Sequence, residues 1–186
     1  MDPRDKKLAD LLTAYSCRLE KDENILIEYE GDESVDLVRQ IVKNAYAVGA
    51  KPYVNIDNSI ITRELLLGAR KDQLEFMNEY LLHQMKEMNA YIAIRSNSNT
   101  SELSNVPSEQ LNLYSRELKP VLDQRVDHSK WVILRYPNPS MAQLAGTSQE
   151  TFRDFYYDVC TPGLRKNVSG YEPTEKTDGK NRQRTN

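Results

Sequence analysis

The sequence is poor in the residues from which metal centres and redox sites are usually built. Its 186 residues include only two cysteines and two histidines. Cys17 and Cys160 form no CxxC spacing, so reduced thiols in a cytoplasmic setting are the simplest interpretation. His83 and His128 form no HExxH motif; we expect a surface or packing role in a helix for His83 and a turn or cap role for His128. The sequence therefore predicts no metal, cofactor or catalytic residues in this chain.

Glycine-rich phosphate loops and long apolar runs are lacking as well. The seven glycines form neither GxGxxG nor GxxxxGKS/T. The stretch EGDES follows a predicted strand, but Asp32 and Glu33 would repel an anion there, so we interpret it as an ordinary βα turn. No apolar run approaches the roughly 18 residues of a membrane span, and the N-terminus has no apolar signal region. We therefore expect no membrane partner.

Positive charge is scarce over most of the chain. Residues 161–186 contain six Lys or Arg and three Asp or Glu, whereas residues 1–160 hold the other 19 basic and 25 acidic residues. A nucleic-acid-binding surface needs clustered positive charge, so the acidic body argues against a nucleic-acid partner. The change in composition after Cys160 divides the chain into a folded domain, 1–160, and an unstructured tail, 161–186.

Helix-like and strand-like patterns alternate along residues 1–160. The predicted strands are NILIEYE, KPYVNID, AYIAIRSN and SKWVILRYP, and amphipathic helices precede and connect them. This alternation is typical of a parallel sheet with crossover connections. The predicted fold is α/β and doubly wound, with a mainly parallel sheet of about four or five strands, helices on both faces and a disordered C-terminal tail.

Particular residues are expected to shape the helices. The first two apolar stripes should comprise Leu8, Leu11, Leu12, Tyr15 and Leu19, and then Val35, Val38, Ile41, Val42 and Tyr46, with Leu37 off the second stripe. The expected starts and ends are Gly49 as a C-cap, Gly68 as a break, Pro107 and Ser108 as a start, Pro120 as a kink or end, and Thr147 or Ser148 as an N-cap.

Nucleophiles and aromatic residues give no specific catalytic pattern. Cys17 falls on a helical pattern, which favours a buried structural thiol, and no nucleophile elbow supports a serine hydrolase. The aromatic cluster Phe152, Phe155, Tyr156 and Tyr157 could form a binding face, but packing of an amphipathic helix is the favoured interpretation. Composition and spacing alone thus predict a fold without a visible catalytic set.

One segment of the sequence resembles a known protein family more specifically than the overall composition does. KWVILRYPNPSMAQLAGTSQETFRDFYYDVC, residues 130–160, resembles the end of the N-terminal region in the thermophilic metalloprotease family of aminopeptidases, the aminopeptidase T and S types. The matching positions are Trp131, Tyr136, Pro137, Met141, Ala142, Gln143, Ala145, Gly146, Ser148 and Phe152. Further matches are KLADLLTAYSCRLEKDENILI, LVRQIVKNAYAVGAKPYV and NAYIAIRSNSN, so the resemblance covers residues 5–160 in order. Pro139 and Ser140 are a local variation.

The resemblance implies a function for a longer protein. Such enzymes are hydrolases that remove N-terminal residues from peptides, using two divalent metal ions such as zinc or cobalt. Their metal ligands lie in a C-terminal domain, and no position here matches them. The resemblance therefore implies an N-terminal domain without a metal site, inactive alone, that helps to build the substrate entrance and a homodimer contact.

The tail lacks the family's next segment, which reads Leu-Asp-Tyr-x-Lys-Met and leads into an amphipathic helix. Permitted codons for the residues from Thr161 onward, reread after deletion of one C, spell Thr-Leu-Asp-Tyr-Gly-Lys-Met. Our hypothesis is that residues 161–186 are the out-of-frame product of a single-base insertion, real or a sequencing error, and that the chain is a truncated fragment.

Two alternatives stay open. One is a stand-alone binding or interaction module without catalysis, and the other is a small independent hydrolase that uses serine or cysteine. The fragment interpretation also predicts an exposed apolar face that a missing domain would have covered.

Overall fold

A computed structural model describes residues 2–161 of the chain. The elements are α1 Pro3–Asp10, a π-helical segment Leu11–Ser16, β1 Asn24–Glu30, a 3₁₀ turn Asp32–Ser34, α2 Val35–Ala47, β2 Lys51–Asp57, α3 Ser59–Leu67, α4 Lys71–Lys86, β3 Ala90–Arg95, α5 Ser108–Glu117, α6 Lys119–His128, β4 Lys130–Arg135, α7 Pro139–Leu144 and α8 Gln149–Cys160. The predicted tail, 161–186, lies outside the described residues except for Thr161.

The four strands form one parallel sheet in the order β2-β1-β3-β4. The chain runs from β1 outward to β2, then crosses to β3 on the other side of β1. This reversal is the doubly wound arrangement, and its switch point lies between β1 and β3. The predicted α/β doubly wound fold is confirmed.

Helices cover both faces of the sheet because alternate strand residues point to opposite sides. On the first face, α1, α2 and α8 pack around Ile25, Ile27 and Ile92. On the second face, α4 and α6 pack around Leu26 and Tyr91. The central strand β3 is buried from Ala90 to Ile94, as expected for a strand covered on both sides.

The predicted helix ends are largely confirmed. Gly49 has φ of 82°, and its N–H donates to the carbonyl of Tyr46 while that of Ala50 donates to Ala45, which is a Schellman motif. Gly68 ends α3, and Ser148 caps α8 by accepting from the Thr151 N–H. A break between α5 and α6 places Pro120 in the first turn of α6.

The predicted face of the first helix is wrong at Tyr15, which is 71% exposed. After Asp10 the chain winds as a π-helix, in which the Cys17 N–H donates to the carbonyl of Leu12 five residues earlier. The wider turn takes in an extra residue and rotates the side chains that follow. Cys17 therefore points into the core and Tyr15 into solvent.

The predicted face of α2 is also displaced. Leu37 is completely buried, whereas Tyr46 is 66% exposed. The helix packs against α1 as well as the sheet, which turns its apolar side toward Leu37, Ile41 and Ala45. The small Ala45 side chain occupies the core position at which the hydrophobic pattern placed Tyr46.

The aromatic cluster of α8 divides between two sides. Tyr156 and Tyr157 are buried in the core, but Phe155 is 62% exposed and Phe152 is half-buried. Core packing of the whole cluster was therefore a wrong prediction. Positions 152 and 155 lie three residues apart on the helix, and their rings contact each other with centroids 6.4 Å apart.

Candidate functional site

A groove on the second face of the sheet, lined by residues of several strands and helices, is the candidate site. It has a volume of about 750 Å³ and is bordered by β1, β2, α3, α4, α5 and α6. Its walls are mainly apolar and include Leu26, Leu65, Tyr80 and Leu122. A volume of this size is within the range of small-molecule and peptide side-chain sites.

The carboxyl ends of the parallel strands bring charged groups to the floor of this groove. Arg95, the last residue of β3, bridges Glu28 of β1 and Asp57, the last residue of β2; its Nη1 lies 3.2 Å from an Asp57 carboxylate oxygen. The Tyr91 hydroxyl donates to Glu28 over 3.0 Å. Open α/β sheets bind ligands at this edge, next to the switch point.

Electrostatics favour the charged form of Arg95 in this partly buried cluster. Burial lowers the pKa of Arg95, but Glu28, Tyr91 and Asp57 outweigh it, so the pKa is raised overall. Burial, with the Glu28 carboxylate, raises the pKa of Tyr91. Burial also raises the pKa of Tyr114, which lines the same groove. At neutral pH the guanidinium is thus charged and both phenols are neutral hydrogen-bond donors.

Local capping fixes the α3 wall of the groove. The Asn58 side chain accepts from the N–H groups of Ile60 and Ile61, so it caps α3. The buried Glu30 carboxylate accepts from the N–H of Ser59, at 2.9 Å. Glu30 ends β1, so the strand and the helix that borders the groove are joined at the carboxyl edge.

The switch point itself is closed by a tight contact. Gly31 has φ of 89°, and a Cβ added there would lie 2.5 Å from the carbonyl oxygen of Ser96. The N–H of Ser96 donates to the carbonyl of Glu30 at 2.9 Å. The EGDES stretch is therefore a βα turn, as predicted, and its glycine lets β1 and β3 approach each other closely.

A buried polar network lies on the first face. Asp5 is 1% exposed and accepts hydrogen bonds from the hydroxyls of Tyr136, at 3.0 Å, and Tyr157, at 2.6 Å. Burial raises the pKa of Tyr136 to about 12 and that of Tyr157 well above its usual range. The network joins α1 to Tyr136, which follows β4, and to α8, so it holds the N-terminal helix and the last helix against the end of β4.

The structure places the predicted nucleophile and ligand candidates apart. Cys17 is buried, its Sγ donates weakly to the carbonyls of Tyr91 and Lys130, and burial raises its pKa to about 11. These contacts agree with a structural thiol, because a catalytic thiol needs a lowered pKa. His83 and His128 are both exposed.

A divalent-metal centre does not fit the described residues. Among residues 2–161, no group of three or more His, Cys, Asp or Glu side chains could hold a metal ion. No helix in that same range has the length and apolar character needed to cross a membrane.

Sequence reasoning missed the groove cluster. Glu28 interrupts the apolar run ILIEYE, and Arg95 ends the apolar run AYIAIR, so both lie near the carboxyl ends of strands. Charged residues at that edge of a parallel sheet are the signal that could have indicated the site. Asp5 had no such signal, because it lies in a helix rich in charged residues.

Comparison with known proteins identifies the family. A model of the thermophilic metalloprotease (M29) family matches residues 1–176. The chain belongs to this family. The match includes residues 161–176, beyond the predicted boundary at Cys160.

A solved structure has a similar fold. Wild-type AmpT from Thermus thermophilus superimposes with a TM-score of 0.65 at 23% sequence identity, over 85% of this chain. This chain spans 42% of the length of AmpT. Among curated proteins, none matches this chain.

Proposed function

We propose that this chain is the N-terminal α/β part of a metal-dependent aminopeptidase of the M29 family, separated from the part that hydrolyses peptides. The observation that carries the proposal is the family match over residues 1–176, in a chain that spans 42% of AmpT. In the intact enzyme, two divalent metal ions bound outside this chain would supply the activated water. The described residues would form a wall beside the path of the peptide.

Exposed apolar surface supports this interpretation. Ile60, Ile61 and Leu65 of α3 are 53%, 58% and 51% exposed, and Phe76 of α4 is 67% exposed. Soluble monomers rarely display large contiguous apolar patches, and such patches usually mark contact surfaces. The helices that carry these residues border the groove, so a second domain seated there would cover both features.

A peptidase assay tests the proposed inactivity. The purified chain, incubated with aminoacyl-p-nitroanilides and either Zn²⁺, Co²⁺ or a chelator, should release no product above a heat-denatured control. Metal-dependent turnover would show that the chain carries its own metal site. Metal-independent turnover would favour the serine or cysteine hydrolase instead.

The nucleotide sequence tests the proposed origin of the truncation. If a single inserted base after the Cys160 codon created residues 161–186, a neighbouring frame should continue into a metallopeptidase domain. The family match reaches residue 176, so the bases coding for the whole segment must be inspected. A downstream region without such an open frame would refute the frameshift.

The groove is the observation in favour of a second candidate function, a stand-alone binding module. Its charged floor and apolar walls are suited to an extended peptide, whose amides and side chains need both kinds of partner. Intact coding sequence ending at Asn186, together with saturable peptide binding lost in Arg95→Met but not in Arg70→Met, would favour this module over a fragment.

A further inference from the structure

The strand β2 has an open edge. It pairs with β1 on one side, and the sheet order places no other described strand on its second side. Sheet edges expose backbone N–H and C=O groups that can pair with another chain. All seven residues of β2 continue the parallel register with β1, so the edge is regular along its length.

The register decides which backbone groups point outward. The N–H of Lys51 donates to the carbonyl of Glu23, so Lys51 faces β1. Strand residues alternate in this respect, so Tyr53, Asn55 and Asp57 also face β1. The outward groups therefore belong to Pro52, Val54 and Ile56, and they number five because proline has no N–H.

Apolar side chains accompany this open edge. Tyr53 is 45% exposed, Val54 43% and Ile56 75%. Val54 and Ile56 lie on the first face of the sheet and Tyr53 on the second, because they pair in register with Ile27, Tyr29 and Leu26. The edge thus combines unpaired backbone with exposed apolar side chains on both faces.

The strand is complementary to itself when reversed. Its seven residues, KPYVNID, begin with a cation and end with an anion, and Val54 is at the centre. In an antiparallel pair related by a two-fold axis at Val54, Lys51 lies opposite Asp57 of the second copy, Pro52 opposite Ile56, and Tyr53 opposite Asn55. Both ends of the pair then hold opposite charges, on the second face of the sheet.

We propose that two copies of this chain associate by antiparallel pairing of their β2 edges, which joins the two sheets into one of eight strands. Val54 donates to and accepts from its counterpart, and each Ile56 N–H donates to a Pro52 carbonyl, giving four backbone hydrogen bonds between the copies. Pro52 removes only one bond from each copy. The pairing does not depend on peptidase activity.

The other edge of the sheet lacks this complementarity. The charged residues of β4 are Lys130 and Arg135, both cationic, so two copies of β4 cannot form opposite-charge pairs with each other. Lys130 is also paired with Glu23 within its own chain, at 2.6 Å. By contrast, Lys51 is exposed and makes no ion pair with another described residue.

Cysteine cross-linking tests the pairing directly. In the full chain carrying Cys160→Ser, we expect Val54→Cys to form a disulfide-linked dimer under mild oxidation, because opposed residues of a hydrogen-bonded pair have Cα atoms about 5.5 Å apart. The matched control is Ile133→Cys on β4, where the side chain is 48% exposed, close to the 43% of Val54. Equal cross-linking of the two variants would overturn the proposal.

Charge reversal tests the register. Sedimentation of the wild-type chain should show a concentration-dependent dimer, and Lys51→Glu should raise its dissociation constant about tenfold, since two-fold symmetry makes each change act twice. The double variant Lys51→Glu with Asp57→Lys should restore dimerisation to within about threefold of wild type. Circular dichroism should show that each charge variant is folded. If Asp57→Lys unfolds the chain, the comparison of Val54→Cys with Ile133→Cys tests the pairing instead. A monomer at all concentrations up to about 100 μM, or a Lys51→Glu variant that dimerises like wild type, would refute the pairing.

Discussion

Replacing Gly31 with alanine should destabilise the domain strongly, because the residue meets two separate structural demands. Its φ of 89° and ψ of 133° form a combination that is almost exclusive to glycine. Its position also faces the Ser96 carbonyl, which would lie 2.5 Å from a new Cβ. The contacted atom belongs to the backbone of the loop after β3, so no side-chain rotation can relieve the clash.

The two effects can be given a magnitude. Backbone strain of this kind costs about 1–3 kcal/mol. Moving β1 and β3 apart would also weaken the bond from the Ser96 N–H to the Glu30 carbonyl, worth about 1 kcal/mol. The free energy of unfolding should therefore fall by about 2–4 kcal/mol. For a domain of this size each kcal/mol lowers the midpoint by about 2–4 °C, so a decrease of roughly 10 °C is expected.

Urea and thermal unfolding followed by circular dichroism measure this loss. The control is Gly68→Ala, because a Cβ at Gly68 has no heavy atom within 4 Å and the residue ends a helix at negative φ. That variant should stay within about 0.5 kcal/mol of wild type. If Gly31→Ala were no less stable than Gly68→Ala, the close approach of β1 and β3 would be an incorrect description of the switch point.

The remaining predictions concern buried side chains. Tyr157→Phe should lower the free energy of unfolding by about 1.5–3 kcal/mol, because Asp5 loses a charge-assisted hydrogen bond. The control is Tyr80→Phe: the Tyr80 side chain is 49% exposed, so this change should alter the free energy by less than about 0.5 kcal/mol. Urea titrations measure both. Arg95→Leu should lower the free energy of unfolding by about 1–3 kcal/mol, because Glu28 loses its cationic partner and keeps only the Tyr91 hydroxyl. Arg70→Leu removes an exposed ion pair and should be nearly neutral; equal losses would contradict the partly buried cluster. The Cys17 thiol, with its raised pKa, should react with Ellman's reagent much more slowly than Cys160, and unfolding should abolish the difference. Burial raises the pKa of Tyr136 from about 10 to about 12. The stabilisation that its neutral hydroxyl gives the folded state is therefore complete below pH 10 and is lost as the pH rises from 10 to 12. The urea concentration at the unfolding midpoint should fall over that range.

The sheet was predictable because local patterns determine it. All four strands were expected at nearly their observed positions, since each is a short apolar run that follows or precedes a recognisable cap such as Gly49. The doubly wound arrangement followed from the alternation of helices and strands. These features depend on neighbours in the sequence, which a single sequence displays.

The orientation of helices was less predictable because it depends on distant contacts. Tyr15 and Tyr46 both lie on apolar stripes, yet both are exposed, one because of a π-helical turn and the other because α2 also packs on α1. The groove cluster depends on three separate strand ends meeting in space, and the Asp5 network joins residues more than 130 positions apart. No local sequence pattern indicates which distant residues come into contact in the fold.

Asp57 connects the groove to the proposed pairing of β2 edges. Its carboxylate is 41% exposed, so it can contact Arg95 within its own chain and still approach Lys51 of a second copy. Such an approach would draw the carboxylate outward and leave Glu28 as the main partner of Arg95. Association of two copies would thus change which carboxylates pair with Arg95 on the groove floor. Because the two copies would share one sheet and be related by a two-fold axis perpendicular to it, both grooves would lie on its second face.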